Sequence, residues 1–349
     1  MTLAGDTGLF RPAVDAPHRV ADLNQGKRGV MTEEHGVSTW RQALAENWEE
    51  MRSLTDWMGI PAMHDHVAEL HTGTTRAVGG DWVDHSLHRH LQPLAARLAA
   101  RDGDPGRRLS MVSFGCGTGQ IEQAVLARGW PVGRIVCREY DTALLDRARE
   151  NLLGLCPDQD FQQFDYNNPE AVGDEAFDVA FFCHSMHHCT DIERFLPFLN
   201  RVVAQDGLIL GLDYFGPSRL QTTFETKQML DEIFESFPEH LRFNLLTGEV
   251  EPKFVIDTMA EVARSDPSEA PRSADLRSLL FSSFPVREVS PMGGTLLRSL
   301  LARRAGNFRS AGDHCILKLL MMLERELIRS GRLASDNLYF VLGRSDRLS

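Results

Sequence analysis

Between Leu109 and Asp165 the chain spells out a strand, a glycine turn, a helix, a second strand and an acid, in that order. Leu109-Ser-Met-Val-Ser-Phe114 is a short apolar run that reads as a buried strand. Gly115-Cys-Gly-Thr-Gly119 then places glycine at alternate positions, and Gln120-Ile-Glu-Gln-Ala-Val-Leu126 opens a helical pattern. A second apolar run, Arg134-Ile-Val-Cys137, ends on Glu139, twenty residues beyond Gly119. In an open parallel sheet, a nucleotide-like ligand binds in the crevice at the carboxyl ends of the strands.

The glycine spacing narrows the ligand. A dinucleotide turn needs G-x-G-x-x-G, its third glycine letting the helix pack close to the strand. Here Gln120 stands where that glycine would fall, and no G-x-x-x-x-G-K-[ST] run occurs. A carboxylate after the second strand suits a ribose whose hydroxyls both donate hydrogen bonds.

With these residues in place, the chain resembles a class I S-adenosylmethionine-dependent methyltransferase over roughly residues 108–215, and again at the C-terminus. The resemblance implies an α/β fold: a Rossmann-like, seven-stranded, mostly parallel sheet with helices on both faces. It implies S-adenosylmethionine as cofactor, with Gly115, Cys116, Gly117 and Gly119 along its methionine and ribose. Glu139 takes the position of the ribose-binding acid and Tyr140 lies against the adenine. Phe161-Gln-Gln-Phe-Asp-Tyr166 matches the third strand, with Asp165 at the adenine amino group and Tyr166 beside it. Phe177-Asp-Val-Ala-Phe-Phe-Cys183 matches the fourth strand, Cys183 meeting the cofactor, and His184-Ser-Met-His-His188 its active-site turn. Gly207-Leu-Ile-Leu-Gly-Leu-Asp-Tyr214 matches the fifth. Ser113 departs from the pattern, standing where the family often has Asp or Glu. Gly216-Pro-Ser-Arg219, Asp266-Pro-Ser-Glu-Ala-Pro-Arg-Ser273 and Gly293-Gly-Thr-Leu-Leu297 further resemble a bacterial group of small methyltransferases.

The bulk numbers exclude other classes. A formal net charge of −12 opposes sequence-independent nucleic-acid binding, which needs clustered cations. A small-molecule substrate is expected, and no nucleic-acid partner. The six cysteines include no C-x-x-C pair, which fits a reducing cytoplasm. Neither a signal peptide nor a membrane span is expected, since Lys318 interrupts the apolar run Ile316–Leu323. A monomer or homodimer is expected.

Residues 1–36 read as a disordered arm and 37–107 as an N-terminal helical cap. The cap's first helix carries the stripe Trp40, Leu44, Trp48, Met51 and Leu54; a second runs from Pro61 to about His71, a third from Asp84 to Arg101. His64 and His66 are two apart and cannot share a helix face, so they read as solvated or capping residues rather than metal ligands. Trp82, beside Gly79-Gly80 in an expected loop, is a candidate wall for the substrate, whereas Trp40 and Trp48 read as core. The core is expected over 108–215 and 286–345, with 216–285 an inserted helical lid before the last two strands. Those strands read as Val286–Ser290 and Leu338–Leu342, separated by a helix, Cys315–Arg329, capped by Asp313.

Methyl transfer needs a nucleophile aligned with a sulfonium methyl and, for a protonated acceptor, a base. His187 and then His184 are the candidate bases, Tyr214 orients, and His188 and Asp213 join Trp82 as substrate contacts. No standard zinc spacing occurs in Cys183-His-Ser-Met-His-His-Cys189, so no metal is expected. Arg219, Arg272 and Arg298 could pair a substrate carboxylate or form surface ion pairs. The expected activity is C-, N- or O-methylation of a small molecule of specialised metabolism, such as an indole, a phenol or an amine. The residues leave open a catalytically silent cofactor-binding regulator or scaffold.

Overall fold

The computed structural model describes residues 60–72, 82–173 and 175–348. The expected N-terminal arm and first helix, with Trp40 and Trp48, lie outside the described residues. Strands β1 (Leu109–Phe114), β2 (Val132–Glu139), β3 (Asp158–Gln163), β4 (Phe177–Cys183) and β5 (Val203–Tyr214) pair in parallel. A two-stranded hairpin, β6 (Phe243–Asn244) and β7 (Glu249–Val250), stands apart from the sheet. The last two sheet strands are β8 (Val286–Gly293) and β9 (Asn337–Gly343). The order is β3-β2-β1-β4-β5-β9-β8, and β9 runs antiparallel to both neighbours. This is the expected seven-stranded, mostly parallel sheet.

Successive side chains of a strand point to opposite faces, and the central strands bury both. Met111, Ile135, Val179 and Phe181 join one core cluster, while Val112, Val136, Ala180 and Phe182 join the other. The first face carries α2 (Trp82–Asp102), α3 (Gln120–Ala127) and α4 (Thr142–Leu152), through Leu91, Leu98, Val125, Leu145 and Leu152. The second carries α5 (Ile192–Arg201) and α8 (Ser273–Ser283), through Phe195, Phe198, Leu276 and Leu280. Helix α5 buries Ile192, Phe195, Leu196 and Leu199, apolar residues spaced three and four apart.

Several expectations change here. The stretch 82–102 is not a cap over the crevice but one layer of the core, because Leu87, Leu91, Leu94 and Leu98 form its buried stripe. Trp82 opens that helix instead of lying in a loop. Helix α1 (Pro61–Thr72) packs against β8 and against α10 (Ala311–Arg329). The lid is also drawn differently: α8, expected within it, belongs to the core.

A helical lobe does form, from two insertions rather than one. The segment 224–265 gives α6 (Phe224–Glu235), the hairpin and α7 (Met259–Ser265); the segment between β8 and β9 gives α9 (Leu297–Leu301) and α10. Leu230, Phe234, Phe237 and Phe254 pack with Leu297, Leu300, Leu301 and Phe308 in a shared cluster. Helix α10 is capped by Ser310, not Asp313: Ser310 Oγ accepts the Asp313 amide at 3.1 Å and Asp313 accepts the Ser310 amide at 2.8 Å. Asp313 is thus the third residue of a capping box. No described helix is long and apolar enough to cross a membrane.

Candidate active site at the carboxyl ends of the strands

The glycine turn follows β1 and opens onto the crevice. Gly115 has φ +66, and a Cβ there would fall 2.3 Å from Ser185 Cβ, so the turn lies against the end of β4. Gly117, at φ +54, is different: a Cβ would meet nothing within 4 Å. The first glycine serves a close approach within the protein; the second leaves open space above the backbone. Gly119, also left-handed, caps α3, and the Cys116 thiol is pushed up by Cys137 beside it and by burial, so it is no nucleophile.

Glu139 sits at the end of β2, where it accepts the Gly117 amide at 2.9 Å and the Asp141 amide at 3.0 Å. The expected ribose acid is therefore held directly over the turn. Tyr140 next to it is 68% exposed. Asp165 accepts the Asn167 amide at 2.8 Å in a tight turn after β3. Tyr166 packs edge-on against Phe164 and Phe195, and its hydroxyl donates to Ser185 Oγ at 2.9 Å.

Ser185 is a residue that the sequence reading passed over. Its hydroxyl donates to the Phe114 carbonyl at 2.6 Å while accepting from Tyr166, so it ties the ends of three strands together. The signal available for it was Gly115, whose missing side chain makes the room.

The turn after β4 carries the histidines. Cys183 is half-buried at the strand end; His184, exposed, has φ +51 and its amide donates to the Leu212 carbonyl at 2.9 Å. His187 is buried, with Nδ1 2.5 Å from Asp213 Oδ1 and Nε2 3.6 Å from Glu269 Oε1. Asp213, expected to touch substrate, is instead fully buried beneath the turn. Its oxygens also accept the amides of Ser185 at 3.0 Å, Met186 at 2.7 Å and Tyr214 at 2.7 Å. Burial alone would raise the Asp213 carboxyl, but His187 and these amides hold it below the usual carboxylate range. Burial likewise opposes the charged form of His187, yet Asp213, Glu269 and Asp266 outweigh it and hold His187 above the ordinary histidine value. With Nδ1–H given to Asp213, the lone pair of the neutral ring lies on Nε2.

His188 faces the same loop, its Nδ1 2.9 Å from the Ser268 carbonyl and 3.1 Å from Ser268 Oγ. His187, His188 and Glu269 each bring one ligand-type atom within 4.8 Å of the others. Tyr214 is buried, its hydroxyl donating to the Pro217 carbonyl at 2.9 Å, and burial pushes its ionisation up. That hydroxyl is committed to the backbone, so Tyr214 supports the site through its ring, edge-on to His187 with centroids 6.3 Å apart.

The three arginines are engaged with the protein. Arg219 donates to the carbonyls of Pro267 at 2.8 Å and Glu269 at 3.0 Å. Arg272 forks onto Glu193 at 2.7 and 2.8 Å and reaches Asp275 at 2.9 Å. Arg298 lies over the Tyr214 ring at 5.2 Å, 3.7 Å from Asp336. Among the described residues, five that are not glycine have positive φ, and His184, Arg219 and Ala270 belong to this turn and its covering loop. Each such residue costs roughly 1–3 kcal/mol, and strain of that kind gathers at functional sites.

Residues 112–211 match the model of a family described as a methyltransferase domain. The chain is 23% identical over 184 residues to a 2-phytyl-1,4-naphtoquinone methyltransferase of Nostoc sp., covering 52% of this chain and 76% of that protein. Among solved structures it is similar to an S-adenosylmethionine-dependent methyltransferase from Mesorhizobium loti, 14% identical with a TM-score of 0.40, covering 73% of this chain and all of that one. It is similar too to the [4+2]-cyclase SpnF, 14% identical with a TM-score of 0.39, covering 85% and 95% of the two chains. The strand order, the glycine turn with its acid and the domain match together define a class I S-adenosylmethionine-dependent methyltransferase. The chain is an enzyme of that class, and S-adenosylmethionine is its cofactor.

Proposed function

We propose that the chain methylates a small-molecule acceptor lying at the carboxyl ends of β4 and β5, with His187 receiving the acceptor's proton. The observation that carries this reading is the His187–Asp213 pair: a buried carboxylate fixes the ring's tautomer and leaves Nε2 on the side of Glu269. In this arrangement Asp213 is a positioning residue, since it touches neither cofactor nor acceptor. It also stabilises the imidazolium that forms when Nε2 takes a proton.

When bound, S-adenosylmethionine supplies a methyl group on a sulfur that already carries positive charge. The residues fit that cofactor: the space above Gly117 is open, and Glu139 stands over it. Gly115, Gly117, Gly119 and Glu139 would hold the sugar and methionine, Tyr140 and Asp165 the adenine, and Cys183 the edge nearest the turn. What remains to the protein is alignment of the acceptor and removal of its proton, worth roughly 10²–10⁴-fold for a positioned base.

The test has two parts. Calorimetry should show S-adenosylmethionine binding to the wild type and its loss in Gly117→Arg, whose side chain fills the open space, or in Glu139→Ala. His187→Ala should keep that affinity and lose about a hundredfold or more in turnover. Unchanged turnover in His187→Ala would remove the base and favour a silent cofactor-binding protein.

A further inference from the structure

The reading of the crevice as a methyl-transfer site leaves the acceptor's chemical class open, and the charges around His187 narrow it. Resting on that reading, we propose that the acceptor is an amine, bound as its ammonium between Glu269 Oε1 and His187 Nε2.

The charged groups that act most strongly on His187 are carboxylates. Asp213 comes from β5, and Glu269 and Asp266 from the loop before α8. The other titratable neighbours are His184 and His188 of the same turn and the ring of Tyr214, whose hydroxyl is bonded to Pro217. The arginines that would welcome an acid are turned elsewhere: Arg219 to loop carbonyls, Arg272 to Glu193 and Asp275, Arg298 to Asp336. A carboxylate-bearing acceptor would meet like charge from Glu269 and Asp266 beside the ring. A phenol would have to become a phenolate beside Glu269, which the same charges oppose. An ammonium is the species they attract.

The geometry suits it. Nε2 and Oε1 are 3.6 Å apart, so one nitrogen can lie within hydrogen-bond reach, about 2.9 Å, of both. Glu269 is carried on a fixed stretch of loop. Its backbone is clasped by Arg219, whose amide also donates to the Ala270 carbonyl at 2.6 Å, and Ala270 itself is held at φ +44. The contacts that hold Ala270 and Arg219 in left-handed backbone conformations keep the loop in one place.

The steps balance. The ammonium gives one proton to His187 Nε2, leaving a neutral amine. Its nitrogen lone pair then forms the bond to the methyl carbon while the carbon–sulfur pair returns to sulfur, giving a methylammonium and a neutral thioether. The proton leaves His187 for solvent past Glu269, which is half-buried at the rim.

The full chain, given S-adenosylmethionine, is assayed by product mass against a set of small primary and secondary amines, phenols and carboxylic acids. Turnover confined to amines is expected. With the best amine, Glu269→Gln should raise KM about tenfold or more through loss of a charged hydrogen bond. It should also move the alkaline rise of kcat/KM to lower pH, because His187 loses an anionic neighbour. S-adenosylmethionine affinity should stay as in the wild type, and Glu269→Asp should restore part of the loss. Turnover of phenols or acids in place of amines, no amine turned over at all, or an unmoved KM and pH profile in Glu269→Gln would overturn the proposal. So would zinc binding to the wild type that His188→Ala and Glu269→Gln abolish, since the same three side chains would then hold a metal ion. Failure of S-adenosylmethionine itself to bind would fall on the methyl-transfer reading as well, which separates the two.

Discussion

Ser113 Oγ donates to Glu122 Oε1 at 2.5 Å, and the carboxyl that accepts it lies wholly inside the protein at the start of α3. Burial pushes Glu122 up to about 7, the Ser113 hydroxyl offsetting only part of the penalty on its charged form. The unfolded chain ionises this group near 4.5 and the folded one near 7, so unfolding releases a proton between those values. Stability should therefore fall as pH rises across that window, by about 3 kcal/mol in the limit that this group acts alone. Thermal melts of the wild type and Glu122→Gln between pH 5 and 8 check it: the substitution should flatten the slope. A wild-type melting temperature that climbs with pH in step with the variant would contradict the assignment. The glycines and Glu139 were legible in the sequence because a turn and its acid are local, fixed by spacing along a few residues. Glu122 was not, since a lone Glu in a first helical turn reads as an exposed residue until the strand beneath it is known. Glu269 was quoted within a motif but given no role, as it lies 82 positions beyond His187 and only the fold brings them together.

At the scale of elements, the two helices that pack against the edge strand β8 are joined by a pair invisible in the sequence. His66 Nε2 lies 2.9 Å from Glu324 Oε2, both side chains fully buried, and the expectation of a solvated histidine is corrected there. Glu324 also accepts the amides of Gly294 at 3.2 Å, Leu296 at 2.8 Å and Leu297 at 3.1 Å. One carboxylate thus fastens α1, α10 and the turn that begins the second insertion. Burial opposes its charge, yet His66 and these amides hold it below the usual carboxylate range. Glu324→Ala would strand a buried imidazole and three amides, and a loss of about 3–5 kcal/mol in denaturant unfolding is the expected outcome. Ser310→Ala, which removes only the cap of α10, should cost about 1 kcal/mol by the same measurement. Helix periodicity found α10 and α5 because each keeps a long apolar stripe. It could not place α2, since a buried stripe looks alike whether it covers a cofactor or a sheet.

Across the whole molecule, the site is assembled from the ends of β1, β2, β4 and β5 and finished by a loop that arrives from the insertion after β5. Arg219 is the clasp between them, donating to loop carbonyls from a left-handed backbone position. Arg219→Ala should lower kcat/KM by about 10–100-fold through a displaced Glu269, with S-adenosylmethionine affinity unchanged. Limited proteolysis should cut near residues 266–270 sooner in that variant than in the wild type. The central strands could be anticipated because β1, β2, β4, β5 and β9 each announce themselves by a run of apolar residues, whereas β3, expected over Phe161–Tyr166 from the resemblance alone, lies at Asp158–Gln163 with Phe161 its one apolar residue. The lobe could not, since its two halves are separated by β8 and neither buries enough apolar surface without the other.

One consequence follows from the position of β9 between β5 and β8. Strand β8 leaves the ribosome with no partner to pair with, and waits through α9 and α10 until the chain from Asn337 onward slots in beside it. Until then both edges of β8 lack a backbone partner, where the folded sheet leaves only one without a strand beside it. Between the synthesis of β8 and that of β9, a nascent chain should therefore be most open to pairing with foreign backbone.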